Sequence, residues 1–146
     1  MTIDDEIKLH IANLPNPPEI IENWEPIADS LSDMFDWIGS KIDWNKTLGH
    51  VYQDLGNEKK SWTSLVSSFI HKYAHDLIFS SEGIFYINDS SLDFALKIPP
   101  NQIDTMLNLL IELVPQHHYF FDVNNQWCLV VSSEGYVDFG VSKLAS

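Results

Sequence analysis

The stretch that most restricts the fold is Trp127–Val131, WCLVV, a run that is apolar at every position and flanked by turn formers. Trp127, Leu129 and Val131 would share one face of a strand, and Cys128 and Val130 make the other face apolar as well. A strand with no polar side belongs in the middle of a sheet. Its neighbours follow from the same punctuation. Tyr119–Val123 runs into Asn124-Asn125, and Ser132-Ser133-Glu134-Gly135 precedes Tyr136–Gly140, so His117–Gly140 reads as two to three antiparallel strands.

Upstream the period changes. Leu92, Phe94, Leu96 and Ile98 alternate with Asp93, Ala95 and Lys97, and Ile84–Ile87 precedes them across the turn Asn88–Ser91, which predicts a hairpin. Between the two hairpin units Pro99-Pro100 stops one strand. Asn101 is placed to cap a helix with Ile103, Met106, Leu107, Leu110, Ile111 and Val114 on its apolar face, ended by Pro115.

The first eighty residues read as helical. Thr2, followed by Asp4, Asp5 and Glu6, suits a helix start, with Ile3, Ile7 and Ile11 as one stripe. Asn13–Pro18 forces an extended connection. Glu25-Pro26 opens a second helix whose stripe is Ile27, Leu31, Met34, Phe35 and Ile38. Lys46–Lys60 reads as loop with one short helical turn. Ser61 is placed to cap a third helix, along which Trp62, Leu65, Val66, Phe69, Ile70, Tyr73 and Leu77 keep helical spacing. Neither a repeat nor a low-complexity tract occurs.

The expectation is an α+β fold: N-terminal helices packed on one face of a mainly antiparallel sheet of about five strands, with one further helix between the hairpin units. A chain of 146 residues makes one domain, 1–146, helical to about residue 80 and sheet-containing beyond it.

Net charge is −13, from 21 acidic residues against eight cations, every one of them lysine. Without arginine no bidentate fork exists for phosphate or carboxylate. The overall field repels nucleic acid and draws in a basic protein. One cysteine, Cys128, makes no internal disulfide and suits a reducing compartment. MTIDDEIKLH lacks the pattern of a signal peptide, and no apolar window is long enough for a membrane span, so a cytoplasmic protein is expected.

No glycine cluster for phosphate, nucleophile elbow or zinc motif is present, and neither cofactor nor metal is expected. Cys128 has no neighbouring cation to activate it. His71 and His75, spaced i, i+4, would offer two metal ligands but lack the third and fourth. His117-His118 with Asp122 is the one constellation that suggests acid–base or small-ligand chemistry, and it requires a pocket that gathers all three.

That constellation is the alternative to a leading reading, a docking surface. Asp29, Asp33 and Asp36 form an acidic stripe along the second helix, Asp43 follows, and Trp37 and Trp44 each succeed an aspartate. Tryptophan beside carboxylates suits an interface anchor, and a plain solvated face is the competing reading.

Tyr119-Phe120-Phe121-Asp122, Trp127-Cys128-Leu129-Val130 and Glu134-Gly135-Tyr136-Val137-Asp138-Phe139-Gly140 together resemble the C-terminal part of small immunity proteins of bacterial polymorphic toxin systems, including contact-dependent growth inhibition. The resemblance covers the C-terminal half. It implies a non-catalytic cytoplasmic protein that protects its producer by binding a cognate toxin domain, often a basic nuclease. Asp29, Asp33, Asp36, Trp37, Asp43 and Trp44 are then the residues expected to meet that toxin.

Overall fold

A computed structural model describes residues 2–88 and 91–143. Of the expected turn Asn88–Ser91, Asp89 and Ser90 lie outside the described residues. Helix α1, Ile3–Ala12, begins as its sequence demands: Asp5 N–H donates to Thr2 Oγ1 at 3.1 Å while Thr2 N–H reaches the Asp5 carboxylate at 3.4 Å. Strand β1 is Glu19–Ile21, helix α2 Glu25–Met34, and a small hairpin pairs β2, Trp37–Ile38, with β3, Lys41–Ile42. Strand β4, Thr47–Asp54, leads through a 3-10 turn at Lys59–Ser61 to α3, Trp62–Tyr73, and α4, His75–Phe79. Then come β5, Ile84–Asn88; β6, Ala95–Ile98; α5, Ile103–Leu113; β7, His118–Asp122; β8, Trp127–Val131; and β9, Tyr136–Ser142.

The fold is α+β, and the described residues form five α-helices and a seven-stranded sheet in the order β1-β6-β5-β7-β8-β9-β4, antiparallel throughout. Strands β7 and β8 sit in its middle and every residue of both is buried. Alternate side chains go to two cores. Phe120, Trp127, Leu129 and Val131 meet helices α1, α3 and α5 through Ile7, Val66, Phe69, Leu107 and Leu110. Tyr119, Phe121, Cys128 and Val130 turn the other way, onto Leu31, Met34 and Phe35 of the α2 segment and Ile42 of β3. The sheet is therefore covered on both faces, one more than expected, because α2 lies opposite the other helices. The Ser142 hydroxyl donates to the Met34 carbonyl and ties the end of α2 to β9.

Seven strands replace the expected five, and both edge strands come from the part read as helix and loop. Strand β1 is three residues after Pro17-Pro18, too short to show a period. Strand β4 hides because its register slips between Leu48 and Val51, where Gly49 takes φ +62°. Such a bulge breaks the apolar alternation that sequence reading relies on.

Helix α2 also stops early. Phe35 is extended (φ −132°, ψ 158°), and the Asp36 carbonyl accepts from Asp43 N–H at 2.8 Å across the small hairpin. Ile38 consequently leaves the apolar stripe and stands 66% exposed. At α3 the Ser61 side chain makes no cap, the 3-10 turn running straight into the helix. Ala74 (φ −133°) then breaks the helix, so Ile78 is buried in place of Leu77. Asn101 likewise does not cap α5, since Pro100–Gln102 form a 3-10 turn ahead of it.

Candidate functional surface

The covering on the α2 side of the sheet is thin, and its relief follows from the small hairpin. Gly39, at φ +61°, lets the chain turn back within two residues, so β2 and β3 stand as a ridge over β7 and β8. A cleft opens on each side of this ridge, and Tyr119 lines both.

The cleft on the β2 side, about 560 Å³, lies between α2 and the ridge and is lined by Trp24, Leu31, Trp37, Ile87 and Tyr119. Trp37 is half-buried. Its indole N–H donates to the Ser32 carbonyl at 3.2 Å and its ring lies 6.3 Å from that of Tyr119, which fixes it to α2 and the sheet together. Trp24, missed in sequence, is 38% exposed here. The sequence signal was its place between Asn23 and Glu25, the same tryptophan-beside-carboxylate pattern that marked Trp37 and Trp44.

The cleft on the β3 side, about 250 Å³, is bounded by Lys41 and Trp44 on one wall and by Glu134, Tyr136 and Asp138 on the other. Lys41 Nζ reaches Glu134 Oε1 at 2.8 Å across its mouth, and this bond holds the Glu134 carboxyl below its ordinary range. Deeper, Asp138 Oδ1 lies 2.7 Å from His50 Nε2. Burial raises the Asp138 carboxyl, with the His50 hydrogen bond opposing it. Trp44 stacks on His50 at 4.9 Å, and His50 in turn on Tyr52 at 5.6 Å.

The expected partner residues take three different positions. Asp29 and Asp33 are exposed on the outward side of α2, and Asp36 is exposed just past its end. Trp37 and Trp44 flank the ridge on opposite sides, one in each cleft. Asp43 is buried and accepts from Asn45 N–H at 3.2 Å, capping the 3-10 turn Trp44–Lys46. Its sequence context resembled that of Asp36, but its carboxylate is spent on the backbone.

His117, His118 and Asp122 are not brought together. His118 is buried with Nδ1 at 2.8 Å from the Tyr86 hydroxyl, and burial pushes its pKa down to about 3, keeping the ring neutral. Asp122, at the far end of β7, accepts from the Ser81 hydroxyl at 2.7 Å and Asn124 N–H at 2.8 Å, fastening the β7–β8 turn. His117 points the other way, into the smaller cleft, with Nδ1 accepting from Ser133 N–H at 3.0 Å. No cleft among the described residues holds all three.

His71 and His75 have ring centroids 5.5 Å apart, both against Phe79. Among the described residues no group of three or more His, Cys, Asp or Glu is arranged to hold a metal ion. Cys128 is fully buried and its thiol is pushed well up by that burial, with Asp138 adding to it. Among the described residues no helix is long and apolar enough to cross a membrane.

No family model, no curated protein and no solved structure matches the chain.

Proposed function

We propose that this protein is a non-catalytic immunity protein that binds and neutralises a basic toxin domain in the cytoplasm, using the acidic face carried by α2 and the adjoining aromatic cleft. The observation that carries the reading is the stretch from Glu19 to Asp36. Its six carboxylates, Glu19, Glu22, Glu25, Asp29, Asp33 and Asp36, are all exposed, and no lysine or arginine lies among them. Lys8 reaches Glu22 at 2.7 Å from α1.

Like charges along a helix cost it stability, about 0.2–0.5 kcal/mol for a pair four apart such as Asp29 and Asp33. A face that bears this cost gains from it when a cationic surface arrives. Such charge accelerates encounter, and Trp24 and Trp37 beside it supply the desolvated aromatic anchors that hold a complex together.

The test is co-expression with the basic C-terminal domain of a secreted protein encoded next to this chain. The wild type restores growth, and the triple variant Asp29→Lys, Asp33→Lys, Asp36→Lys weakens the purified complex by about a hundredfold or more with its circular dichroism unchanged. Full protection and unaltered affinity in that variant would remove this face from the complex. Absence of any complex with the wild type would end the immunity reading.

A further inference from the structure

The smaller cleft carries charges and aromatics in an arrangement that neither the fold nor the α2 surface requires. We infer that it receives one arginine side chain, with the guanidinium against Asp138 and Glu134 and the stem along Trp44, Tyr119 and Tyr136. The source of that side chain, a basic partner, rests on the reading above; the chemistry of the cleft does not.

Four observations converge. At about 250 Å³ the cleft lies just below the roughly 300–1,000 Å³ typical of small-molecule sites, the scale of a single side chain. Its two carboxylates sit at two depths, Glu134 with its side chain 55% exposed at the mouth and Asp138 with 18% exposed below it. Asp138 Oδ1 lies 2.7 Å from His50 Nε2, and a forked donor suits a carboxylate because it can engage both of its oxygens. The chain itself shows that a side-chain cation is accommodated at the mouth, since Lys41 spans it to reach Glu134 at 2.8 Å.

The walls make the choice between cations. Trp44, Tyr119 and Tyr136 present aromatic surface, to which a planar, weakly hydrated guanidinium is better suited than a compact ammonium. Burial keeps the Asp138 carboxyl raised although His50 and Lys41 both oppose it, so a guanidinium placed against it is favoured further. Lys41 is the competitor already in place, attached to the ridge and displaceable because its pair with Glu134 is exposed to solvent.

The experiment titrates the ¹⁵N-labelled full chain with Nα-acetyl-arginine methylamide and follows the Trp44 indole N–H. A saturable shift with a Kd of about a millimolar is expected. Binding falls about tenfold in Asp138→Asn and by a smaller factor in the exposed variant Glu134→Gln, and it tightens severalfold in Lys41→Met, whose ammonium no longer competes. The lysine analogue binds more weakly than the arginine probe.

No saturation at Trp44 up to about 100 mM probe, or equal binding by folded Asp138→Asn and Glu134→Gln, overturns the site. Agmatine binding about tenfold tighter than the capped arginine overturns the partner as its source, in favour of a free small molecule. The two proposals fail separately. A protein that neutralises its toxin yet ignores the probe loses only this inference, whereas one that binds the probe but meets no basic toxin loses only the former.

Discussion

Phe120 and Phe121 are adjacent in β7 and both fully buried, yet they belong to different halves of the molecule. Phe120 enters a core that runs from Ile7 of α1 to Phe139 of β9 and includes three long helices. Phe121 enters a much smaller one, roofed by α2 and a hairpin of two residues per strand. The deep side has hydrophobic area to spare. The shallow side has little, and it is there that exposed tryptophan, unpaired carboxylates and both clefts accumulate. The large core and the clefts thus lie on opposite faces of one sheet, so substitutions on one face should leave the other largely intact.

The contrast is sharpest in stability. Phe120→Ala should cost about 3–5 kcal/mol, lowering the melting temperature by about 10 °C or more, because the packed helices cannot close the void. Phe35→Ala, under the thin roof, should cost about 2 kcal/mol, since the ridge can settle onto the space left. Paired denaturant titrations decide this, and equal losses would show that the two faces are equally rigid.

Acidification gives the next largest effect. The folded protein holds His118 neutral down to about pH 3, whereas the unfolded chain takes up its proton near the ordinary histidine value of about 6.5. Stability from this group is complete above pH 6.5 and is lost as pH falls from there towards 3, which amounts to about 2 kcal/mol between pH 7 and pH 5. Asp138, raised by burial, acts in the opposite sense. Urea unfolding at the two pH values should show the loss in the wild type and a flatter profile in His118→Gln. A wild-type slope that His118→Gln leaves unchanged would place the titration elsewhere.

The smallest effect lies on the shallow side. Glu134→Gln removes a solvent-exposed ion pair with Lys41, and pairs of that kind contribute little. Calorimetry should find its melting temperature unchanged. A substantial drop would make the pair a clamp on the ridge and blur the division between the faces.

Sequence made the deep side far more legible than the shallow one. Ile103–Val114, Trp62–Tyr73 and Trp127–Val131 announced themselves because long periodic runs leave few alternatives. On the shallow side the decisive features are short or broken: two-residue strands, a bulged β4, and an α2 that gives up its last turn to a backbone bond between Asp36 and Asp43. The aspartates of α2 were read as solvent-facing, and Asp29 and Asp33 are. Asp43 carries the same charge and a neighbouring tryptophan, but only the fold reveals that its carboxylate caps a turn. Asp138 and Glu134 looked like ordinary strand and turn residues, because the wall opposite them comes from Lys41 and Trp44, some ninety positions earlier.

The bulge in β4 has one more consequence. An eight-residue strand at the edge of a sheet is a template on which further chains can grow, and the opposite border is preceded by Pro17-Pro18 while this one has no proline. The left-handed Gly49 and the slipped register at His50 twist the border out of line, so an incoming straight strand finds only half of it in step. The molecule is thereby discouraged from polymerising through its own sheet.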